Sequence, residues 1–232
     1  MNNRFAILLR HGDYRQKAET PSALQPFGLT EKGERQAREA GIGLTQLIDE
    51  NSWKLDREIF SSRQLRAWQT ADLLSKILTE RSGRSFQVTE NEALAERSVG
   101  AFANLTISEI EQILDSDPRY APPPGNWKSD SRYRLPVQGA ESLMEAGLRV
   151  AGFLKERMEA LDGTSSDTRV FVGHGASIRH AAHHLGVLEF ERIAQHSMFH
   201  AKPVVLKLSP TGKWTHHTGA WKERKAPATT LD

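Results

Sequence analysis

The chain contains no cysteine. That absence excludes disulfides, thiolate metal sites and a cysteine nucleophile together, and it leaves the redox compartment unread. Long apolar runs are missing too: none approaches the ~18 residues that a membrane-spanning helix needs. Charge of one sign is not in excess. The 31 Lys and Arg stand against 29 Asp and Glu, a formal net charge of +2 that gives no reason to expect nucleic acid as a partner. What is present is ordinary for a globular chain: 38% hydrophobic and 26% charged residues over 232 positions. A chain of that length buries a full core and suits one domain, or one domain with insertions. No internal repeat is visible.

The N-terminal "MNNRFAILL" has the short apolar run of a secretory signal, but Arg10-His11 follows it where a small-residue cleavage site would stand. It reads as a first β-strand, and a cytoplasmic protein is the default expectation. "RFAILL" (4–9) is continuously apolar, as strands buried on both faces of a parallel sheet are. Residues 12–28 hold Gly, Asp, Ser and two prolines and read as a loop. Helical spacing follows at 29–50, with Thr30 as its N-cap. "REIFSS" (57–62) predicts a strand, 63–80 an amphipathic helix, and "RSFQVTE" (84–90) a third strand. Helices are predicted at 106–114, 140–161 and 176–186, the last ended by Gly186. "TRVFVGHG" (168–175) is a strand ending in a histidine between glycines. Residues 202–219 read as a strand, a turn at Ser209–Gly212 and a second strand. The tail "WKERKAPATTLD" (221–232) reads as a frayed, solvated end.

Strands alternating with helices predict an α/β fold: a three-layer α/β/α sandwich with a mostly parallel central sheet. The whole chain, 1–232, then forms one domain with an inserted cap-like segment at about 97–139. That segment is Pro-rich and irregular, and its Tyr120, Trp127 and Tyr133 favour an ordered cap over a linker.

Two strands end alike: an apolar run, then histidine and glycine. Ligands bind at the carboxyl ends of parallel strands, so Arg10, His11, Arg66 and His174 are expected to meet at one edge of the sheet. Two guanidiniums and two imidazoles suit a dianion, since arginine matches phosphate oxygens bidentately. The helix beginning near Gly175 adds free N–H groups and a positive dipole end. Each residue taken singly also fits a structural role; the argument lies in the set.

The set resembles the histidine phosphatase superfamily, the phosphoglycerate-mutase-like group. "LLRHG" (8–12) resembles the block whose histidine is phosphorylated. "SSRQLRAWQTA" (61–71) resembles the phosphate-arginine block and selects Arg66 over Arg63. "LAERSVG" (94–100) resembles the block whose glutamate donates a proton, and "VGHGASIR" (172–179) the block with the second histidine. "LTEKGERQA" (29–37) and "QGAESLMEAGLRV" (138–150) are similar to weaker family helices. The blocks fall in family order across residues 5–208.

The resemblance implies a phosphatase that hydrolyses phosphomonoesters through a phosphohistidine on His11. Arg10, Arg66 and His174 hold the phosphoryl oxygens, and His174 counts among the catalytic residues. Glu96 is the implied proton donor; on charge alone Glu92 is a rival. No metal or other cofactor is implied. The alternatives are phosphoglycerate mutase-type transfer and a phosphate-binding module without catalysis. Against the mutase, the residues after "RHG" are Asp13-Tyr14-Arg15, without the serine and asparagine usual in mutases. Candidate substrate contacts are Tyr14, Arg15 and Arg97, and further out Arg119, Trp127 and Arg132. A phosphorylated small molecule or a phosphoprotein both remain as substrates, with neither nucleic acid nor membrane as a partner. Homodimers are common in the family. His180 and His184 stand at i, i+4 in "HAAHH", half a zinc site; without an H-E-x-x-H pattern or a third ligand they read as packed or solvated histidines.

Overall fold

The apolar run at residues 4–10 is a strand, and it lies inside a sheet rather than at its edge. The computed structural model describes residues 2–224. Its elements are β1 (Arg4–Arg10), α1 (Glu31–Asn51), β2 (Leu55–Ser61), α2 (Leu65–Ser82), β3 (Gln87–Glu90), α3 (Ile107–Ser116), α4 (Leu143–Glu159), β4 (Thr168–Gly173), α5 (Gly175–His184), α6 (Phe190–Ile193), β5 (His196–Ser197), β6 (Pro203–Leu208), β7 (Trp214–Thr218) and β8 (Lys222–Glu223). Short 3₁₀ turns at Glu92–Leu94 and Gly100–Phe102 complete it.

The main sheet has the order β3-β2-β4-β1-β6-β7. β3, β2, β4 and β1 run parallel, and β6 and β7 continue antiparallel, so the sheet is mostly parallel as the sequence predicts. Alternate side chains of the central strands face opposite layers. Ile7, Leu9, Ile59, Val170 and Val172 pack against Ala40 and Leu44 of α1 and Ala67, Ala71 and Leu74 of α2. On the other face Ala6, Leu8, Phe60 and Phe171 pack against Val150 and Leu154 of α4 and Ile178 and Ala181 of α5. Those two layers and the sheet between them are the three-layer sandwich. No helix among the described residues is long and apolar enough to cross a membrane.

Local signals set the helix ends. Thr30 accepts from the Gly33 N–H at 3.1 Å, as its place before the apolar spacing predicts. Thr106 and Ser142 each form a reciprocal box with the glutamate three residues on, Glu109 and Glu145. The helices read at 63–80, 140–161 and 176–186 are shifted by one to three residues; for the second, the Ser142 box sets the start. The segment 97–139 carries a small core of its own. Trp127 is fully buried there among Val99, Phe102, Ile110, Leu114 and Leu135, with Ala23 of the 12–28 loop alongside. The Ile107 N–H donates to the Glu19 carbonyl and ties that loop to α3.

The tail differs from the sequence reading in its described part. Lys222-Glu223 pairs with His196-Ser197 in a two-stranded sheet, and Trp221 packs against the main core. A single aromatic residue anchors what charge alone would leave solvated. Residues 225–232 lie outside the described residues.

α4 and α5 cross so closely at Gly147 that a Cβ there would meet the His180 Cβ and the Ala181 backbone. His180 is held on both sides: its Nδ1–H donates to the Ala176 carbonyl at 2.7 Å, and its Nε2 pairs with the Ser131 hydroxyl at 3.0 Å. Gly147→Ala is therefore expected to destabilise the protein by about 1–3 kcal/mol, read as a lower midpoint in urea unfolding. An unchanged midpoint would mean that the two helices separate without cost.

Candidate active site

The parallel register brings the first residues of the site together. Arg10 lies opposite Gly173, and Ser61 lies opposite Val172. The ladder then runs one residue past each strand: the His11 N–H donates to Gly173, and the Ser62 N–H donates to Val172. His11, Ser62 and His174 thus leave the sheet at one edge. The His11 and His174 rings are 5.1 Å apart. Gly12 is required beside them, since a Cβ there would stand 2.5 Å from the Gly33 carbonyl oxygen at the start of α1.

Arg66, in the first turn of α2, is fully buried. A buried guanidinium needs acceptors for its N–H groups. The 22–25 loop supplies them: Nη1–H donates to the Gln25 carbonyl at 2.9 Å and Nη2–H to the Ser22 carbonyl at 2.7 Å. Nη2 also reaches the Gln64 side-chain oxygen at 2.9 Å. The remaining Nε–H points at His11 Nε2, 3.2 Å away. His11 Nδ1 lies 2.7 Å from the Gly12 carbonyl oxygen, which only an N–H satisfies. The ring proton is thereby placed on Nδ1, and Nε2 faces the site with its lone pair. Burial, with Arg66 and Arg10 nearby, holds the His11 pKa well below the ordinary histidine value. Burial and Arg66 do the same to His174, whose Nε2–H donates to the Ser62 hydroxyl at 2.9 Å.

Arg10 reaches over the end of β1, with Nη1–H donating to the Met198 carbonyl at 3.3 Å. Glu96 closes the site from the opposite side. Its Oε1 accepts from the Arg97 and Ser177 N–H groups, each at 3.0 Å, and its Oε2 from the Ala176 N–H at 3.2 Å. The carboxylate therefore sits on the first turn of α5, where an anion gains from both N–H groups and dipole. Glu92, the rival by charge, is exposed and pairs with Arg63 on the surface. The Glu96 segment is clamped by Arg149 of α4. The Arg149 Nη1–H groups reach the carbonyls of Ala93 at 2.9 Å and Ala95 at 3.2 Å, while Nε and Nη2 hold Glu141. Glu141 Oε2 in turn accepts from the Ser98 N–H at 3.0 Å.

Of the candidate substrate contacts, Arg97 lines a cavity of about 390 Å³ that opens beside Glu96. Tyr14 does not face that cavity. It is 7% exposed, stands edge-on to His11 at 5.2 Å and lies beneath the Arg66 guanidinium at 4.5 Å, so it packs the site rather than meeting substrate. Arg15 is exposed and outside the cavity lining. Trp127 is core, its indole N–H donating to Glu111 at 2.8 Å. Arg119 pairs with Asp117 on the surface, and Arg132 covers the Phe190 ring at 4.6 Å. His184 donates from Nε2 to the Met144 carbonyl at 2.9 Å, so "HAAHH" packs α5.

The sequence reading did not single out Ser62, although it stands in the quoted "SSRQLRA" block. His200 is also placed here. It bridges to Arg10 across the sheet edge, its ring 5.7 Å from His11, and burial beside Arg10 lowers its pKa to about 4. No motif marks it, because it arrives from the loop before β6.

Comparison with known proteins agrees with this arrangement. The sequence profile of the histidine phosphatase superfamily (branch 1) matches residues 6–220. A 2,3-bisphosphoglycerate-dependent phosphoglycerate mutase of Parvibaculum lavamentivorans is 26% identical over 209 residues, covering 89% of this chain and 91% of the mutase. Sedoheptulose 1,7-bisphosphatase of Saccharomyces cerevisiae is 27% identical, covering 76% of this chain and 65% of its own length. Among solved structures, a mycobacterial glucosyl-3-phosphoglycerate phosphatase superposes with a TM-score of 0.66 at 22% identity, covering 97% of this chain and all of the other. With the profile spanning nearly the whole chain and the fold shared, the protein belongs to the histidine phosphatase superfamily, branch 1.

Proposed function

We propose that the protein is a metal-independent phosphatase that hydrolyses small phosphomonoesters through a phosphohistidine on His11. The observation that supports this most is the His11 Nε2 lone pair, fixed by the Gly12 carbonyl and standing beside Arg66, His174 and Arg10. Nε2 attacks phosphorus as the ester oxygen leaves in line. Arg66 Nε–H, now on that lone pair, turns to a phosphoryl oxygen, and Arg10 and His174 take the others. The charges of Arg66 and Arg10, with the Nε2–H of the neutral His174, meet the negative charge that spreads over those oxygens in the transition state. Glu96 gives its proton to the leaving oxygen; Oε2, with one long hydrogen bond, is the oxygen placed to carry it. Water then attacks phosphorus, Glu96 takes the water's proton, the N–P bond breaks, and phosphate leaves. The two guanidiniums supply the positive charge that a divalent cation supplies in metal-dependent phosphatases. The cavity of about 390 Å³ beside Glu96 favours a small molecule over a phosphoprotein.

The similarity to phosphoglycerate mutases favours one second reading, return of the phosphoryl group to another hydroxyl of a sugar acid. Phosphorus NMR of a 3-phosphoglycerate incubation separates the two: free phosphate supports hydrolysis, and 2-phosphoglycerate supports transfer.

Four outcomes follow from the proposed roles. With EDTA present, wild type releases p-nitrophenol from p-nitrophenyl phosphate and His11→Ala does not; equal release by both would remove His11 from the mechanism. Nitrogen NMR should show His11 still as the neutral Nδ1–H tautomer at the pH where a free histidine is half-protonated, because burial, with Arg66 and Arg10 nearby, depresses its pKa. A midpoint near the ordinary histidine value would contradict the buried pair with Arg66. Glu96→Gln should lower kcat/KM for alkyl phosphates by ~10²–10⁴, with much less effect on kcat/KM for p-nitrophenyl phosphate, whose leaving group needs little protonation. Arg149→Ala should show the same leaving-group bias, since it holds the Glu96 segment; uniform loss across leaving groups would give Arg149 a purely structural role.

A further inference from the structure

The cavity beside Glu96 carries more positive charge than one phosphoryl group uses. Arg97, Lys128, Arg179 and Arg224 line it, and among the described residues Glu96 is the only acid in the lining. The four cations come from separate places: the turn after Glu96, the 97–139 segment, helix α5 and the chain after β8. Arg10, already assigned to the phosphoryl site, stands near enough to Arg179 for their charges to interact.

Arg179 makes the set unusual. It is only 6% exposed, and its Nε has no hydrogen-bond partner among the described residues. Among the described residues its guanidinium makes one hydrogen bond: Nη1–H donates to the His196 carbonyl at 2.8 Å. A buried guanidinium with free donors carries a desolvation cost that an anion relieves. Burial and the neighbouring Arg224 lower its pKa to about 10, the direction expected where cations crowd without enough counter-charge. Arg97 adds a second partly buried guanidinium, its face toward the Trp127 ring at 5.9 Å. Ile107 and Leu143 supply an apolar wall.

We propose that this cavity is a second anion subsite, in which Arg97, Lys128, Arg179 and Arg224 hold a carboxylate or second phosphate carried by the same substrate molecule. The proposal rests on the phosphatase reading for the position of the reacting phosphoryl group. The substrate class is then a small phosphomonoester with an acidic group a few bonds from the ester. A phosphorylated sugar or alcohol without that group fills the phosphoryl site and leaves the second cluster unpaired.

The test is calorimetric binding to His11→Ala protein, which cannot form the phosphohistidine, so the result does not depend on turnover. Three probes are used: glycerol 3-phosphate, 3-phosphoglycerate, which replaces its hydroxymethyl with a carboxylate, and propane-1,3-diol bisphosphate, which offers a second phosphate. At least one doubly anionic probe should bind ~10-fold or more tightly than glycerol 3-phosphate, as charge-assisted pairing to arginine predicts. Whichever of the two binds more tightly identifies the acidic group. Lys128→Ala/Arg224→Ala, introduced into the same background, should reduce that preference to near parity; Arg224 is exposed and Lys128 is a surface residue of the cap, so both are removable without opening the core. Equal affinity for all three probes overturns the subsite, and so does a preference that survives the double substitution. Either result leaves the phosphatase reading to stand or fall on p-nitrophenyl phosphate.

Discussion

The site depends on one buried charge. Arg66 has no exposed surface, and its guanidinium must be satisfied where it stands. The carbonyls of Ser22 and Gln25 do most of that, so the loop at 12–28 is folded around the arginine rather than merely beside it. The same group keeps both histidines neutral, by its charge and by the burial they share. It also fixes Tyr14, whose ring lies under the guanidinium and against His11. Loop shape, tautomer and protonation state thus have a common origin. His11 is held neutral and oriented where burial is combined with a cation that never reaches solvent.

Around that charge the sheet acts as a ruler. Parallel pairing of β2, β4 and β1 puts Ser62, His174 and His11 one step beyond three adjacent strand ends. Helix α5 then begins at once, and its first N–H groups hold Glu96. The Arg149–Glu141 pair fastens the chain on both sides of Glu96, so α4 positions the proposed acid from outside the pocket. The neutral, oriented histidine and the anchored carboxylate face each other across the space where an ester is expected to lie.

Much of this was legible in the residues. An apolar run that stops in Arg10-His11-Gly12 marks a buried strand with chemistry at its end, and the second such ending at His174 marks its neighbour. Four blocks in family order identified Arg66 over Arg63 and Glu96 over Glu92, and the structure puts the chosen residues in the site and their rivals on the surface. The short-range signals were less decisive. Tyr14 and Trp127 looked like substrate contacts because an aromatic side chain has the same sequence appearance in a core as in a pocket. Arg119 was ambiguous until Asp117, two residues away, was seen to pair with it. Arg179 ends the "VGHGASIR" block and the residues near His200 were expected to bear on specificity, but what each side chain touches comes from long-range packing. The tail shows the same limit: one tryptophan, Trp221, overrides a run of charges that would otherwise stay in water.

The position of β1 bears on how the chain is made. It precedes both of its sheet neighbours in the chain, and they begin only at Thr168 and Pro203. An apolar ribbon buried on both faces in the native protein must wait, with open edges, while the intervening chain is made. β2 and β3 can pair with each other in the meantime, but neither borders β1. Nascent chains halted between these points should therefore be the sticky ones, the species on which a holding chaperone acts. Placing His11 at the end of an interior strand gives it flanks on both sides, and it also ties the enclosure of the site to strands made long after it.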